Sequence, residues 1–316
     1  MRIWGYSDHY MYDPIYMPFA KSADIPYIQK PDLSNVQARG LAVINTDSLG
    51  LRAVKAGARY KDKQDNEFRI AITGDSVTFG EGVSRTEDTY PEVLGRILRQ
   101  KLNKKEIRVF NYGVSAYSVQ QMAATLDRRM IEVNPDLVIM AVVPEDFDLS
   151  RTGTVDKWGF TVHADSTGII SSDSLLKRIL RKVHLTYLLR DIIYRYKVSK
   201  EPGGKEKLQP GGSVNIPQES YQYVSRFFQT AKKLKVSSLL LILPPISHTF
   251  KQEFFADLKK DNIPYLDLTA VITQFPPDEY RTSRFDGHPS AVVHQRIAEL
   301  TAQYVLSSIL TPEAKK

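Results

Sequence analysis

The chain has no cysteine among its 316 residues, which excludes a disulfide scaffold, a zinc-thiolate site and a cysteine nucleophile. It has no run of about 18 apolar residues, so no membrane-spanning helix is expected. It carries no Walker-type phosphate loop, no dinucleotide fingerprint and no internal repeat. Met1–Pro18 is too polar and too rich in tyrosine for a signal peptide, so if the natural protein is exported its leader has been cut away.

What is present is ordinary for a globular protein. Hydrophobic residues make up 42% and charged residues 25%, enough for one large α/β domain or two modest ones. The net charge of +7 is unevenly placed. Between Lys177 and Lys207 ten Lys and Arg face three acids, a local excess equal to that of the whole chain. Such a segment suits nucleic acid, anionic lipid or an acidic polysaccharide, and a solvated helix face followed by a linker accounts for it equally well.

Residues 1–65 lack helical periodicity and are rich in Tyr, Pro and Asp; they read as an extension of loops and short strands packing on the main domain, with Leu41–Ile44 a strand and Ser48–Arg52 a turn. From Phe68 the pattern alternates. Phe68–Thr73, Ile107–Tyr112, Asp136–Val143, Ser238–Leu243 and Ile263–Leu268 read as strands, and Tyr90–Leu102, Gln120–Glu132, Ser220–Leu234 and Pro289–Leu310 as helices, the last with proline in its first turn. Five strands alternating with helices predict a parallel sheet covered on both faces, with ligands beyond its carboxyl edge. A basic helix and loop, 173–215, interrupt this 66–316 domain, and the apolar stripe of Leu175–Tyr196 is expected to pack against the sheet rather than meet a membrane.

Two segments carry chemistry. Thr73-Gly74-Asp75-Ser76-Val77-Thr78-Phe79-Gly80-Glu81-Gly82-Val83 follows the first strand, and its glycines permit a tight turn that exposes Ser76 at the strand's carboxyl end. A serine hydroxyl needs a base. Ser283-Arg284-Phe285-Asp286-Gly287-His288-Pro289-Ser290 supplies one at the same edge of the sheet: His288 takes the serine proton, and Asp286 orients the imidazole.

With these blocks the chain resembles the SGNH, or GDSL-type, esterases and acyltransferases over about Phe68 to Leu310. Gly74-Asp75-Ser76 matches the first block and Asp286-Gly287-His288-Pro289 the last. Asn111-Tyr112-Gly113-Val114-Ser115-Ala116-Tyr117-Ser118 is similar to the second block, and Val143-Pro144-Glu145-Asp146 falls where the third belongs. The resemblance implies a flavodoxin-like three-layer fold on a five-stranded parallel sheet, an acylated Ser76, a triad completed by His288 and Asp286, no cofactor or metal, and a periplasmic or extracellular location. Some members with an N-terminal extension act on acyl groups of cell-surface or secreted polysaccharides.

Gly113, Ala116 and Glu145 are the candidates for the oxyanion or substrate-binding positions. Two depart from the family pattern: Ala116 stands where a glycine is usual, and Glu145 where an asparagine amide normally donates. An ionised carboxylate only accepts and repels a developing oxyanion, so Glu145 points away, is protonated, or marks a changed task.

Other candidates are weaker. His294 reads as a packing or surface residue of the last helix, and His248 as a rim or surface-loop residue. Asp146 and Asp148 make an acidic cluster with Glu145 but lack a His or Cys at metal-ligand spacing, and Tyr221, Tyr223, Phe227 and Phe228 read as core contacts of one helix face. The sequence therefore predicts a serine esterase or O-acyltransferase for acyl, chiefly acetyl, esters of a carbohydrate, with an anionic glycan drawn to the basic insertion and no nucleic acid. The alternative is a catalytically impaired glycan-binding or assembly protein that retains the fold.

Overall fold

The computed structural model describes residues 12–102, 106–151, 153–163, 212–245, 248–283 and 286–310, with isolated positions at 179, 183, 189, 192, 193 and 196. Five strands form its central sheet: β1 (Glu67–Gly74), β2 (Glu106–Gly113), β3 (Leu137–Val142), β4 (Ser237–Ile242) and β5 (Tyr265–Asp267). All pairings are parallel and the spatial order is β5-β4-β3-β1-β2, the flavodoxin-like arrangement. The order reverses at β1, so a crevice opens beyond the carboxyl ends of β1 and β3. The register pairs Gly74 with Gly113, which brings the chain turns after β1 and β2 to the same height.

Both faces of the sheet are buried, which is why these strands read as near-continuous apolar runs. Ile70 and Ile72 of β1 with Leu137 and Ile139 of β3 join one core with helices α2 (Tyr90–Lys101) and α6 (Ala291–Tyr304). Ala71, Val138 and Met140 join the other with α3 (Val119–Arg128), α4 (Gln218–Lys233) and α5 (Gln252–Lys260). The one-residue alternation between the two cores is the pleat of each strand. Tyr221, Phe227 and Phe228 of α4 are buried in the second core, with Tyr223 partly buried against it.

The extension is β-rich as expected and shares that second core through Ile15, Tyr16, Ile25, Tyr27, Ile28 and Ile44. Tyr16–Pro18 pairs antiparallel with Tyr27–Gln29, and Val36–Gln37, Val43–Thr46 and Arg52–Ala53 form a small meander.

Several details differ from the sequence reading. Arg39–Leu41 is a 3-10 turn, and the strand begins at Val43. Helix α5 was not foreseen, because its nine charge-rich residues bury only Phe254 and Leu258. Pro289 ends a short strand, Asp286–Pro289, rather than opening the last helix, whose N-cap is Ser290. Most of the 173–215 insertion lies outside the described residues. The expected packing of its stripe on the sheet is not met at Ile179, Val183, Ile192 and Ile193, which are exposed. Among the described residues no helix is long and apolar enough to cross a membrane.

Candidate active site

The turn that carries Ser76, the candidate nucleophile, is built from the sequence directly after β1. Asp75 caps helix α1 (Ser76–Phe79) by accepting from the Val77 N–H at 2.9 Å, and Gly80 ends it in the left-handed region at φ 86°. A side chain at Gly74 would strike the Thr78 hydroxyl, and one at Gly113 would strike the backbone of Thr78 and Phe79. These two glycines let α1 settle between the ends of β1 and β2. Ser76 therefore stands at the first position of α1 at the crevice, with 9% of its surface accessible.

The candidate base, His288, arrives from the far end of the chain. Asp286–Pro289 pairs antiparallel with Arg281–Ser283, and in an extended strand residues i and i+2 share a face. The Asp-Gly-His spacing thus puts Asp286 and His288 on one side. His288 Nε2 lies 2.8 Å from Ser76 Oγ, and its Nδ1 lies 2.5 Å from Asp286 Oδ1, which also accepts from the His288 backbone N–H at 3.1 Å. The three residues expected from sequence are brought together across 212 positions of chain.

His288 sits among carboxylates. Burial alone would depress its pKa, but the hydrogen bond to Asp286 and the charges of Glu81, Asp286 and Asp75 outweigh this and push it up to about 9. The Ser76 hydroxyl has a second acceptor, Asp75 Oδ2 at 3.2 Å. When His288 is protonated the Ser76 O–H can donate to Asp75, and when His288 is neutral it can donate to Nε2.

Ala116 adopts φ 66°, the left-handed conformation in which a glycine is usual, and keeps it with a methyl group. Among the described residues neither the Ala116 N–H nor the Ser76 N–H has a hydrogen-bond acceptor. One of these donors is on Ser76 itself and the other on the turn after β2 at the same edge of the sheet, and uncommitted N–H groups of this kind can receive a developing oxyanion. The Gly113 N–H, by contrast, is taken by Asn111 Oδ1 at 2.9 Å, so what Gly113 offers the site is space.

Glu145 follows β3 at the same crevice, and its Oε1 accepts from the backbone N–H of His248 at 3.2 Å and lies 3.1 Å from His248 Nδ1. His248 is thereby the partner of Glu145. Asp146 accepts from the Val143 N–H at 2.9 Å and Asp148 from the Ser150 N–H at 3.0 Å, so the three neighbouring acids are engaged separately. His294 is fully buried, accepts at Nδ1 from the Tyr90 N–H at 3.0 Å, and stacks on the Tyr90 ring. Burial lowers its pKa to about 3.

Several neighbours of the site escaped the sequence reading. Buried Glu81 accepts from Ser115 Oγ at 2.7 Å and lies 3.6 Å from Arg39 Nη1. Arg52 is buried and donates to the carbonyls of Phe79, Gly80 and Val83 and to the Thr86 hydroxyl, fastening the loop behind Ser76; burial lowers its pKa to about 10. Gly40, at φ 71°, rests against Gly82 and approaches Asp286. Glu81 stood inside the first block between two glycines and was visible there. Arg39, Gly40 and Arg52 lie in an aperiodic stretch that carries no such signal.

No family model matches the chain, and no curated protein does. Among solved structures it is similar to a protein of the G-D-S-L lipolytic family from Desulfitobacterium hafniense, at 17% identity over 74% of this chain and 98% of that one, with a TM-score of 0.45. It is similar to a variant of an acetyl xylan esterase from Geobacillus stearothermophilus, at 15% identity over 77% and 97% of the two chains, TM-score 0.43. A two-domain esterase active on acetylated mannans matches at 14% identity and TM-score 0.47 over 79% of this chain, which spans about half (51%) of that one. Through its Gly74-Asp75-Ser76 and Asp286-Gly287-His288-Pro289 blocks the chain resembles the SGNH, or GDSL-type, hydrolases.

Proposed function

We propose that the chain is a serine-dependent ester hydrolase or O-acyltransferase acting on acyl, chiefly acetyl, esters of a carbohydrate through an acyl-Ser76 intermediate. The observation that carries this reading is the hydrogen-bonded line from Ser76 Oγ through His288 to Asp286.

In the proposed cycle Ser76 Oγ attacks the ester carbonyl as its proton passes to His288 Nε2. The imidazolium is held by Asp286 through Nδ1–H. The oxyanion forms toward the N–H groups of Ser76 and Ala116, and each such donor is typically worth about 10² to 10³ in turnover. The carbonyl re-forms as the C–O bond to the leaving alcohol breaks, and that alcohol leaves with the proton from Nε2. Water, or a sugar hydroxyl, then gives its proton to Nε2 and attacks the acyl-serine; the C–O bond to Ser76 breaks, Oγ takes the proton back from Nε2, and acid or a new ester is released.

The carbohydrate part of the reading rests on the resemblance of the sequence blocks. The basic segment Lys177–Lys207 supplies charge to attract an anionic glycan; neutralising Lys177, Arg178, Arg181 and Lys182 together should weaken glycan binding and flatten its salt dependence, and unchanged binding would reject that role.

The test is acetate release from p-nitrophenyl acetate and from acetylated oligosaccharides, with and without an acceptor sugar. Turnover lost in Ser76→Ala and His288→Ala supports the reading, and transfer to the acceptor in place of hydrolysis selects the transferase. Turnover that survives Ser76→Ala contradicts it.

A further inference from the structure

Ala116 is the weak point of the proposed oxyanion site, since a non-glycine residue in the left-handed region is strained and must be held there by its surroundings. The direction of its N–H is fixed by the peptide unit it shares with the Ser115 carbonyl. A trans peptide is planar, with its C=O and N–H pointing in opposite directions. Whatever holds the Ser115 oxygen therefore aims the Ala116 N–H.

That oxygen accepts from the Tyr27 hydroxyl at 2.8 Å, and the Gly113 oxygen, two peptides earlier, accepts from Gln29 Nε2 at 2.9 Å. Both donors come from the N-terminal extension, and both side chains are buried. Tyr27 is itself fixed. Its ring meets Tyr16 and Tyr117 edge-on at centroid separations of 5.3 and 5.6 Å, and its backbone carbonyl accepts from the Tyr117 hydroxyl. The Ser115 hydroxyl completes the clamp by donating to Glu81, on the loop behind the nucleophile.

We infer that Tyr27, supported by Gln29, is a positioning residue for the reaction: the extension aims the Ala116 N–H at the oxyanion by holding the carbonyl on the opposite side of the same peptide. This rests on the serine-ester reading of the site. The extension is then part of the active-site machinery through its tyrosine hydroxyl, beyond the apolar surface it buries.

The experiment compares kcat and KM for p-nitrophenyl acetate in the full chain and in Tyr27→Phe, which deletes one hydroxyl and keeps the ring contacts. The control is Thr46→Val, which removes two hydrogen bonds internal to the extension, one that Thr46 Oγ1 donates to the Lys30 carbonyl at 2.7 Å and one that it accepts from the Leu33 N–H at 2.9 Å. Tyr27→Phe should lower kcat by roughly tenfold to a hundredfold, a fraction of what losing an oxyanion donor outright costs. Its KM should stay within about twofold and the pH midpoint set by His288 unmoved, whereas Thr46→Val lowers the unfolding temperature and leaves kcat unchanged. A folded Tyr27→Phe with wild-type kcat, or an equal loss in Thr46→Val, would overturn the inference. Gln29→Leu, read in the same way, decides it if Tyr27→Phe does not fold. The two readings fail separately: active wild type with active Tyr27→Phe sinks only the positioning role, and wild type without Ser76-dependent turnover sinks both.

Discussion

Glu145 Oε1 is turned onto His248, accepting its backbone N–H at 3.2 Å with the ring Nδ1 at 3.1 Å. The residue standing in the place of the usual asparagine donor is thus held as an acceptor by the loop after β4. The proposed oxyanion site is left to the Ser76 and Ala116 N–H groups.

Glu145→Gln should accordingly keep or raise kcat, because it removes a negative charge from the crevice and retains an oxygen for His248. Steady-state kinetics on p-nitrophenyl acetate checks this. A loss of a hundredfold or more would show that the carboxylate takes part in turnover.

With His288 as the proposed general base, its pKa of about 9 sets the pH dependence expected of turnover. A general base works when neutral, so kcat/KM should climb with pH through about 9, and Glu81→Gln should move that midpoint down because it deletes one of the charges that raise it. A profile already flat at pH 7 would contradict the assignment.

The two buried histidines act oppositely on stability. His288 is raised to about 9 from an unfolded value near 6.5, so its contribution is complete below about pH 6.5 and is lost as pH rises through 9. His294 is lowered to about 3, so the unfolded chain binds its proton more readily and stability falls as pH drops from about 6.5 toward 3. Denaturant unfolding across pH should show a maximum near 6.5. His288→Ala should flatten the alkaline limb and His294→Leu the acid limb. His294→Leu should also cost roughly 1–3 kcal/mol at the maximum, since it leaves the buried Tyr90 N–H without its acceptor.

Ala116→Gly should raise the unfolding free energy by about 1 kcal/mol, by relieving the left-handed strain net of the added chain entropy, with an unchanged denaturant m-value. A destabilised variant would show that the methyl packs favourably and that the loop is not strained.

Much of this was legible in the sequence because the relevant signals are local. The strands of the central sheet announced themselves as apolar runs, the glycines of the first block marked the tight turn that presents Ser76, and Asp286 and His288 stood two residues apart in one segment, though as a turn and not as the strand they form. What was not legible depends on contacts across many residues of chain. Nothing around Tyr27, Gln29, Arg39 or Arg52 distinguishes them from other polar residues of an aperiodic segment, and their side-chain partners lie 27 to 122 positions away. The orientation of Glu145 likewise depends on His248, 103 positions on, so sequence could pose the question of its role and only geometry could supply its partner.

The central claim is that Ser76 is a nucleophile activated by His288, and intact mass after exposure to a fluorophosphonate tests it most directly. The account predicts a single phosphonyl adduct on the wild-type chain, faster at pH 9 than at pH 7, that is lost in Ser76→Ala and strongly slowed in His288→Ala. A folded wild-type chain that gains no adduct, or an adduct that persists in Ser76→Ala, would contradict it.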